Sequence, residues 1–246
     1  MNLVQKLPIG LGLACMMMLS SCSKEDVSAP EPQVGGVNES SGLRGGGNGI
    51  ELLKPYFAPT IGQPGFNWYP TDWERNIKSP DNLIGLPSGT SNLTNLWGNQ
   101  QAPWVKPLPT IPGVTDMRSM LTVITFRDPF QNHRKSTVKT KIKNLKSGKK
   151  YAVSFFVAGS LRNTLFGAYT PAYPKLVDVE IGWGNSYSFS TQYDLTGMEA
   201  TWAKKTITFS PEANEAELYF SAYAPEAGQY SYANIFVDKD SIKEVQ

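Results

Sequence analysis

Beyond residue 120 the chain alternates apolar and polar side chains with a period of two, as β-strands with unlike faces require. Residues 120–126 (MLTVITF) predict one strand. Val138, Thr140 and Ile142 then alternate with Lys139, Lys141 and Lys143, which predicts a strand with one wet face. Asn144 to Lys149 (NLKSGK) is turn chemistry, and 151–157 (YAVSFFV) predicts the returning, more buried strand. Further strands are expected over 176–181, 187–190, 202–209, 216–222 and 235–245, the last broken near Asp238–Asp240. Some eight to ten short strands with turns between them predict an all-β chain folded as a sandwich or jelly roll, nearly without helix.

Residues 50–118 have a different texture. Ten of the 18 prolines and four of the six tryptophans fall here, among Asn, Gly and Gln. Prolines at this density exclude long helices and interior strands, so a short strand near Ile50–Leu53 followed by long ordered loops is expected. A single β domain over 49–246 follows, with 49–119 its loop-rich part and 120–246 its main strands.

The N-terminal 48 residues fall outside both patterns. Lys6 precedes a thirteen-residue apolar run, 7–19 (LPIGLGLACMMML). That is too short to span a ~30 Å hydrocarbon core, so residues 1–21 read as an export signal. The run ends Leu19-Ser20-Ser21-Cys22, which resembles the bacterial lipobox. The resemblance implies that Cys22 becomes acylated, as with palmitate, and holds the mature chain on a membrane without a transmembrane helix. Ser23-Lys24-Glu25-Asp26 resembles the signal by which certain Gram-negative, glycan-using bacteria display lipoproteins on the outer face, which implies an outer-membrane, outward-facing address. From 22 to 48 the composition is Gly, Ser, Pro and Glu without periodicity, so a flexible tether is expected, its ends roughly 25–30 Å apart.

Composition narrows the chemistry. A net charge of +2 lacks the basic excess of a nucleic-acid binder. Cys15 lies inside the apolar run, so the mature chain keeps Cys22 alone; a disulfide framework and a thiolate metal site are excluded. His133 is the single histidine, and neither a histidine metal cluster nor a Ser–His–Asp triad can be built around it. No cofactor is expected.

Ile142…Leu145-Lys-Ser-Gly-Lys…Tyr151-Ala-Val-Ser-Phe155, Trp202…Ile207-Thr-Phe209, Ala216-Glu-Leu218-Tyr-Phe220 and Ile235-Phe-Val-Asp238 together resemble galactose-binding-like jelly rolls, a layout that carbohydrate-binding modules share. The resemblance covers about 120–246 and implies a jelly-roll β-sandwich. Where such domains usually end Ile-Asp-Asp-Val, this chain has Ile235-Phe-Val-Asp238-Lys-Asp240, a departure at the place where a structural Ca²⁺ would be held.

Sugars stack their C–H faces on flat rings and bond their hydroxyls to amides and carboxylates. Phe66-Asn67-Trp68-Tyr69, Asp72-Trp73-Glu74, Trp97-Gly98-Asn99-Gln100-Gln101, Trp104 and Gly182-Trp183-Gly184-Asn185 supply that mixture. The expected carbohydrate-binding residues are therefore Trp68, Tyr69, Trp73, Trp97, Trp104 and Trp183. The competing expectation is that these rings only pin long loops, since each buries 150–250 Å².

Nine Lys or Arg against Asp128 alone between 127 and 150 could meet an acidic polysaccharide or lipid head groups. The preferred expectation is that Lys139, Lys141 and Lys143 guard an exposed sheet edge. Glu212, Glu215, Glu217 and Glu226 could include a hydrolytic pair, although turns account for them. Asp238 and Asp240 are weighed as Ca²⁺ ligands, and Asp240-Ser241-Ile242 resembles a bacterial O-glycosylation site. The function expected is a non-catalytic surface lipoprotein that binds glycan through loop aromatics. Its alternative is a structural lipoprotein with an outer-membrane protein partner, or an adhesin; no nucleic-acid partner is expected.

Overall fold

The computed structural model describes residues 53–76, 91–100, 102–115, 117–130, 132–183 and 186–246. Cys22, the expected export signal and the tether lie outside the described residues, as do residues 50–52 of the first expected strand. Among the described residues there is no helix.

Eight principal strands carry the fold: β1 Met120–Arg127, β2 Val138–Lys143, β3 Lys150–Ser160, β4 Leu176–Trp183, β5 Ser186–Asp194, β6 Ala203–Phe209, β7 Ala216–Tyr223 and β8 Gln229–Phe236. All their mutual pairings are antiparallel. One sheet runs β2-β7-β4-β5 and the other β6-β3-β8-β1. Successive strands thus alternate between sheets, except at the β4–β5 hairpin, and this interleaving makes the sandwich a jelly roll.

Period-two alternation explains the core. Val138 and Ile142 of β2, Val177, Val179 and Ile181 of β4, and Leu218 and Phe220 of β7 face Leu121 and Val123 of β1, Tyr151 to Val157 of β3, and Ala233 and Ile235 of β8. Their alternate neighbours point outward. On the β2 sheet that outward face is polar, and wet except where Asp178 and Ser221 are buried on it. On the β1 sheet it is not, for β1 is buried along nearly its whole length. The described residues between 95 and 118 lie across this face as a third layer. Trp104 packs at 5.2 Å from Tyr232, Leu108 joins Met120, Ile124 and Phe126, and Trp202 Nε1 donates to the Pro109 carbonyl at 2.8 Å.

Beneath that layer a polar chain crosses four strands. The Thr94 and Thr122 hydroxyls share a hydrogen bond. Thr122 Oγ1 donates to Asn234 Oδ1 at 2.7 Å, and Asn234 Nδ2 donates to Ser160 Oγ at 2.7 Å and to the Ala158 carbonyl. A buried amide that satisfies both ends fixes strand register, because a one-residue slip would orphan every member.

The proline-rich region is more regular than its composition predicts. Tyr56–Phe57 and Trp73–Arg75 pair end to end along one side of β2, while Gly65–Phe66 pairs with Ser91–Thr94, which pairs with β1. Each strand is four residues or fewer, so proline is accommodated between them. The first described strand is Tyr56–Phe57; Leu53 lies in no strand. Just beyond it Thr60, fully buried, clamps the N-terminal segment to the stretch after β8. Its N–H donates to the Val237 carbonyl at 3.0 Å, and its Oγ1 accepts from Val237 N–H at 2.9 Å.

Two expectations are corrected. Lys139, Lys141 and Lys143 do not guard an edge, because β2 is paired on both sides. His133, whose neighbours Gln131, Asn132, Arg134 and Lys135 have the composition of an exposed loop, lies instead in the short strand His133–Lys135, half-buried, its ring edge-on to Tyr223 at 4.9 Å. The expected strand at 235–245 is two elements: β8, which begins already at Gln229, and Ile242–Val245, which pairs with the start of β3.

Candidate functional site

The structure sorts the six aromatic residues by exposure. Trp73 is 5 % exposed; its Nε1 donates to the Ala58 carbonyl at 3.0 Å and its ring lies 6.0 Å from Phe57. Trp104 is 6 % exposed beneath the third layer. Neither ring offers a face to a sugar, and both act as pins. Tyr69 and Trp183 are partly buried and packed against the core, Trp183 at 6.1 Å from Phe209. Trp68 and Trp97 remain, 51 % and 43 % exposed, joined by Phe66 at 51 %.

Local geometry explains why these three rings face out. In the turn from Gly65 to Trp68, the Trp68 N–H donates to the Gly65 carbonyl, and Asn67 takes φ 56°, the left-handed position that Asn tolerates better than most residues. The Trp68 ring lies directly over Gly65, where a Cβ would come within 2.8 Å of it. Trp97 occupies the turn in which the Asn95 and Gly98 backbones bond reciprocally at 2.9 and 3.2 Å. Its neighbour Leu96 packs inward against the cluster that holds Trp104, Leu108 and Met120, and Gly98 at φ 94° lets the chain reverse. Leu96 anchors the turn and Trp97 is displayed by it.

Between these turns lies a cleft of about 290 Å³ lined by Pro64, Gly65, Phe66, Asn92, Leu93, Asn95, Trp97, Asn99 and Gln100. It stands near the lower end of small-ligand sites, roughly 300–1,000 Å³. The lining holds two rings and four amides and no charged side chain. Asn99 Oδ1 is buried without a hydrogen-bond partner among the described residues, which suits it to accept from a ligand hydroxyl. Of the six expected aromatic residues Trp97 alone lines this cleft, and Phe66, Asn92 and Asn95 line it without being among them. The ring-and-amide composition of 66–69 carried a signal for Phe66. Nothing in the order of residues says that Ser91–Thr94 pairs with Gly65–Phe66.

A second groove, of about 280 Å³, lies against β2 and is lined by Asp72, Trp73, Glu74, Lys139, Thr140, Lys141, Lys143 and Glu217. Its charges are paired with one another. Lys139 lies 3.0 Å from Glu217 and 3.2 Å from Glu74, Lys141 2.8 Å from Glu215, and Lys143 3.1 Å from Asp72. Burial alone would raise the Glu217 carboxyl, but the Tyr219 hydroxyl and Lys139 hold it below its ordinary value. Burial likewise works against the Lys139 ammonium, and Glu217 and Glu74 outweigh it, holding its pKa above the ordinary value. The lysine stripe is thus largely neutralised, which weakens it as a surface for acidic polysaccharide or lipid head groups.

The other carboxylates have local roles. Glu226 accepts from Gln229, Glu212 stands exposed in the turn before β7, and Asp238 Oδ1 accepts the Lys239 N–H while the Asp238 N–H donates to Ser241 Oγ. Among the described residues no three His, Cys, Asp or Glu side chains gather as metal ligands. That turn accounts for Asp238, and the Ser241 hydroxyl of the Asp240-Ser241-Ile242 segment is engaged within it.

No family model matches the chain, and no curated protein matches it. Among solved structures it is similar to a family 4 carbohydrate-binding module (17 % identity, 63 % of this chain and 86 % of that one, TM-score 0.35). It is also similar to the CBM22-1 xylan-binding domain of Paenibacillus barcinonensis (13 %, 79 % and 94 %, 0.37) and to a cyclase from Fischerella sp. TAU (14 %, 74 % and 84 %, 0.43). A likeness shared by binding modules and an enzyme assigns neither role to this chain.

Proposed function

We propose that this protein binds neutral glycan at the Phe66–Trp97 cleft without catalysing a reaction, and that it does so from the outer face of a bacterial outer membrane, held by acylated Cys22. The observation that carries the ligand is the cleft lining. Exposed Phe66 and Trp97 rings supply apolar faces, and Asn92, Asn95, Asn99 and Gln100 supply side chains that both donate and accept, as vicinal hydroxyls require. With no cation in the lining, an acidic sugar would lose hydration there without recovering it. The anchor rests on the Leu19-Ser20-Ser21-Cys22 pattern and the Lys24-Glu25-Asp26 that follows. The chain enters the described body beside the β2–β3 turn, where Asn144 Nδ2 donates to the Lys54 carbonyl.

The test is a glycan array probed with the full-length chain and its Trp97→Ala variant. Binding to neutral oligosaccharides that the variant loses supports the reading; no binding at millimolar glycan ends it.

A protein-partner role is favoured by a different observation. Phe130 is 85 % and Leu165 69 % exposed. They follow β1 and β3, which are both antiparallel to β8, so both residues lie at the same end of the sandwich, opposite the chain's entry. A Phe130→Ser, Leu165→Ser variant that keeps glycan binding but loses co-purifying outer-membrane protein would establish that role.

A further inference from the structure

The sandwich finishes its sheet edges in different ways. Beside β2, the short strands Tyr56–Phe57 and Trp73–Arg75 cover the edge. Beyond β1 the sheet ends in Gly65–Phe66, only two residues long. At the β6 edge stand Lys204 and Lys205, the residue type that discourages pairing with another chain. The edge at β5 has none of these devices. It is nine residues long (SYSFSTQYD), contains no Lys, Arg or Pro, and among the described residues pairs only with β4. Its one charged residue, Asp194, is at the end and accepts the Thr196 N–H at 2.8 Å.

We propose that the free edge of β5 pairs antiparallel with β5 of a second copy of this chain, joining the two β2-β7-β4-β5 sheets into one about a two-fold axis near Ser190. Such an interface is isologous, so every contact is made twice. In that register Phe189 of each copy faces Thr191 of the other. Phe189 pairs with Ile181, a core residue, yet is 39 % exposed, because among the described residues no strand lies beyond it at the sandwich margin; the second copy supplies one. The cations nearest this edge do not collide. Lys205 Nζ lies 5.1 Å from the Tyr193 ring, near one end of β5, so the two-fold sends the two Lys205 side chains to opposite ends of the joint. A neutral strand selects a neutral partner, and its own copy is one whose Asp194 also falls at the end of the pair.

Sedimentation velocity of the full-length chain tests this, run in detergent so that the N-terminal apolar run does not drive association. A monomer–dimer equilibrium at micromolar concentration is expected. Thr191→Lys, Gln192→Lys should weaken it at least tenfold with an unchanged melting temperature. Ser190→Cys under mild oxidation should give a covalent dimer in excess of the wild-type background from Cys15 and Cys22, because directly opposed strand residues lie ~4.5–5.5 Å apart and a disulfide spans that distance. Lys204→Cys on the β6 edge should give none. A monomer at every concentration, a dimer indifferent to the double lysine variant, or Ser190→Cys cross-linking no better than Lys204→Cys would each overturn the proposal.

Discussion

Phe66 and Asn92 stand directly opposite one another across two antiparallel strands. Opposed residues in such a pair project to the same face, so an apolar ring and an amide are offered side by side at one wall of the cleft. Trp97 comes to the same cleft from a separate turn. Two independent backbone devices therefore hold the aromatic groups.

Removing either ring should cost binding and little else. Phe66→Ala and Trp97→Ala are each expected to weaken neutral-glycan affinity about tenfold, on the order of 1 kcal/mol for a lost stacking contact. Because half of each ring is already in water, the melting temperature should move by no more than about 2 °C. Calorimetric titration beside a thermal melt checks both halves. Affinity should also be nearly unchanged between 20 and 500 mM salt, since no charged side chain lines the cleft.

Trp73 should behave in the opposite way. Its burial against Phe57 and its bond to the Ala58 carbonyl make Trp73→Ala a cavity mutation, expected to destabilise by about 3–5 kcal/mol. Denaturant unfolding would show this. Whatever protein remains folded should bind glycan with wild-type affinity, and a specific loss of binding would return Trp73 to the site.

Asn234 joins Thr122 to Ser160 where water is excluded. Asn234→Ala leaves those hydroxyls and the Ala158 carbonyl short of a partner, and about 2–4 kcal/mol of stability should be lost. Asn234→Leu should not restore it, because the missing element is a hydrogen bond and not volume. Chemical denaturation of the two variants decides the matter.

Glu217 should contribute to acid sensitivity. Its carboxyl is held below the ordinary value when folded, so its stabilising effect is present above the unfolded carboxylate pKa and is lost as pH falls through the folded one. Glu217→Gln should therefore lower stability by at most about 1 kcal/mol at pH 7, as expected for a partly exposed ion pair. The difference from wild type should shrink as pH falls below the ordinary carboxylate range and the folded carboxyl is protonated. Lys139 has the reverse sign: its raised pKa gives stability that fades only as pH climbs past the ordinary lysine range. Melting temperatures from pH 3 to 11 would trace both limbs.

How much of this was legible in the sequence varied by region, for physical reasons. Lys139, Lys141 and Lys143 announced β2 because one of its faces is wet and the other dry. The same lysines misled about the strand's position, since period two reports faces and not neighbours; Asp72, Glu74, Glu215 and Glu217 reach them from segments remote in sequence. β1 was found from its β-branched and apolar run, yet its second buried face depends on a covering layer at 95–118 that has no periodicity of its own. Trp73 and Trp97 occupy similar Asn-, Gly- and Asp-rich surroundings, and composition cannot separate them. Separation comes from Trp73 pairing with Thr140 on a core strand, while Trp97 caps a turn whose inward contact is delegated to Leu96.

The Thr60–Val237 clamp bears on force. Any pull on the chain from its N-terminal side enters the body at Leu53, meets the Asn144–Lys54 hydrogen bond and then the two pairs of Tyr56–Phe57, which would unzip one after the other. It then meets two hydrogen bonds at a fully buried threonine, made to the stretch just after β8, which runs through the middle of its sheet. The body thus has a mechanical fuse ahead of a mechanical stop, and Phe66 and Trp97 both lie on the protected side of that stop.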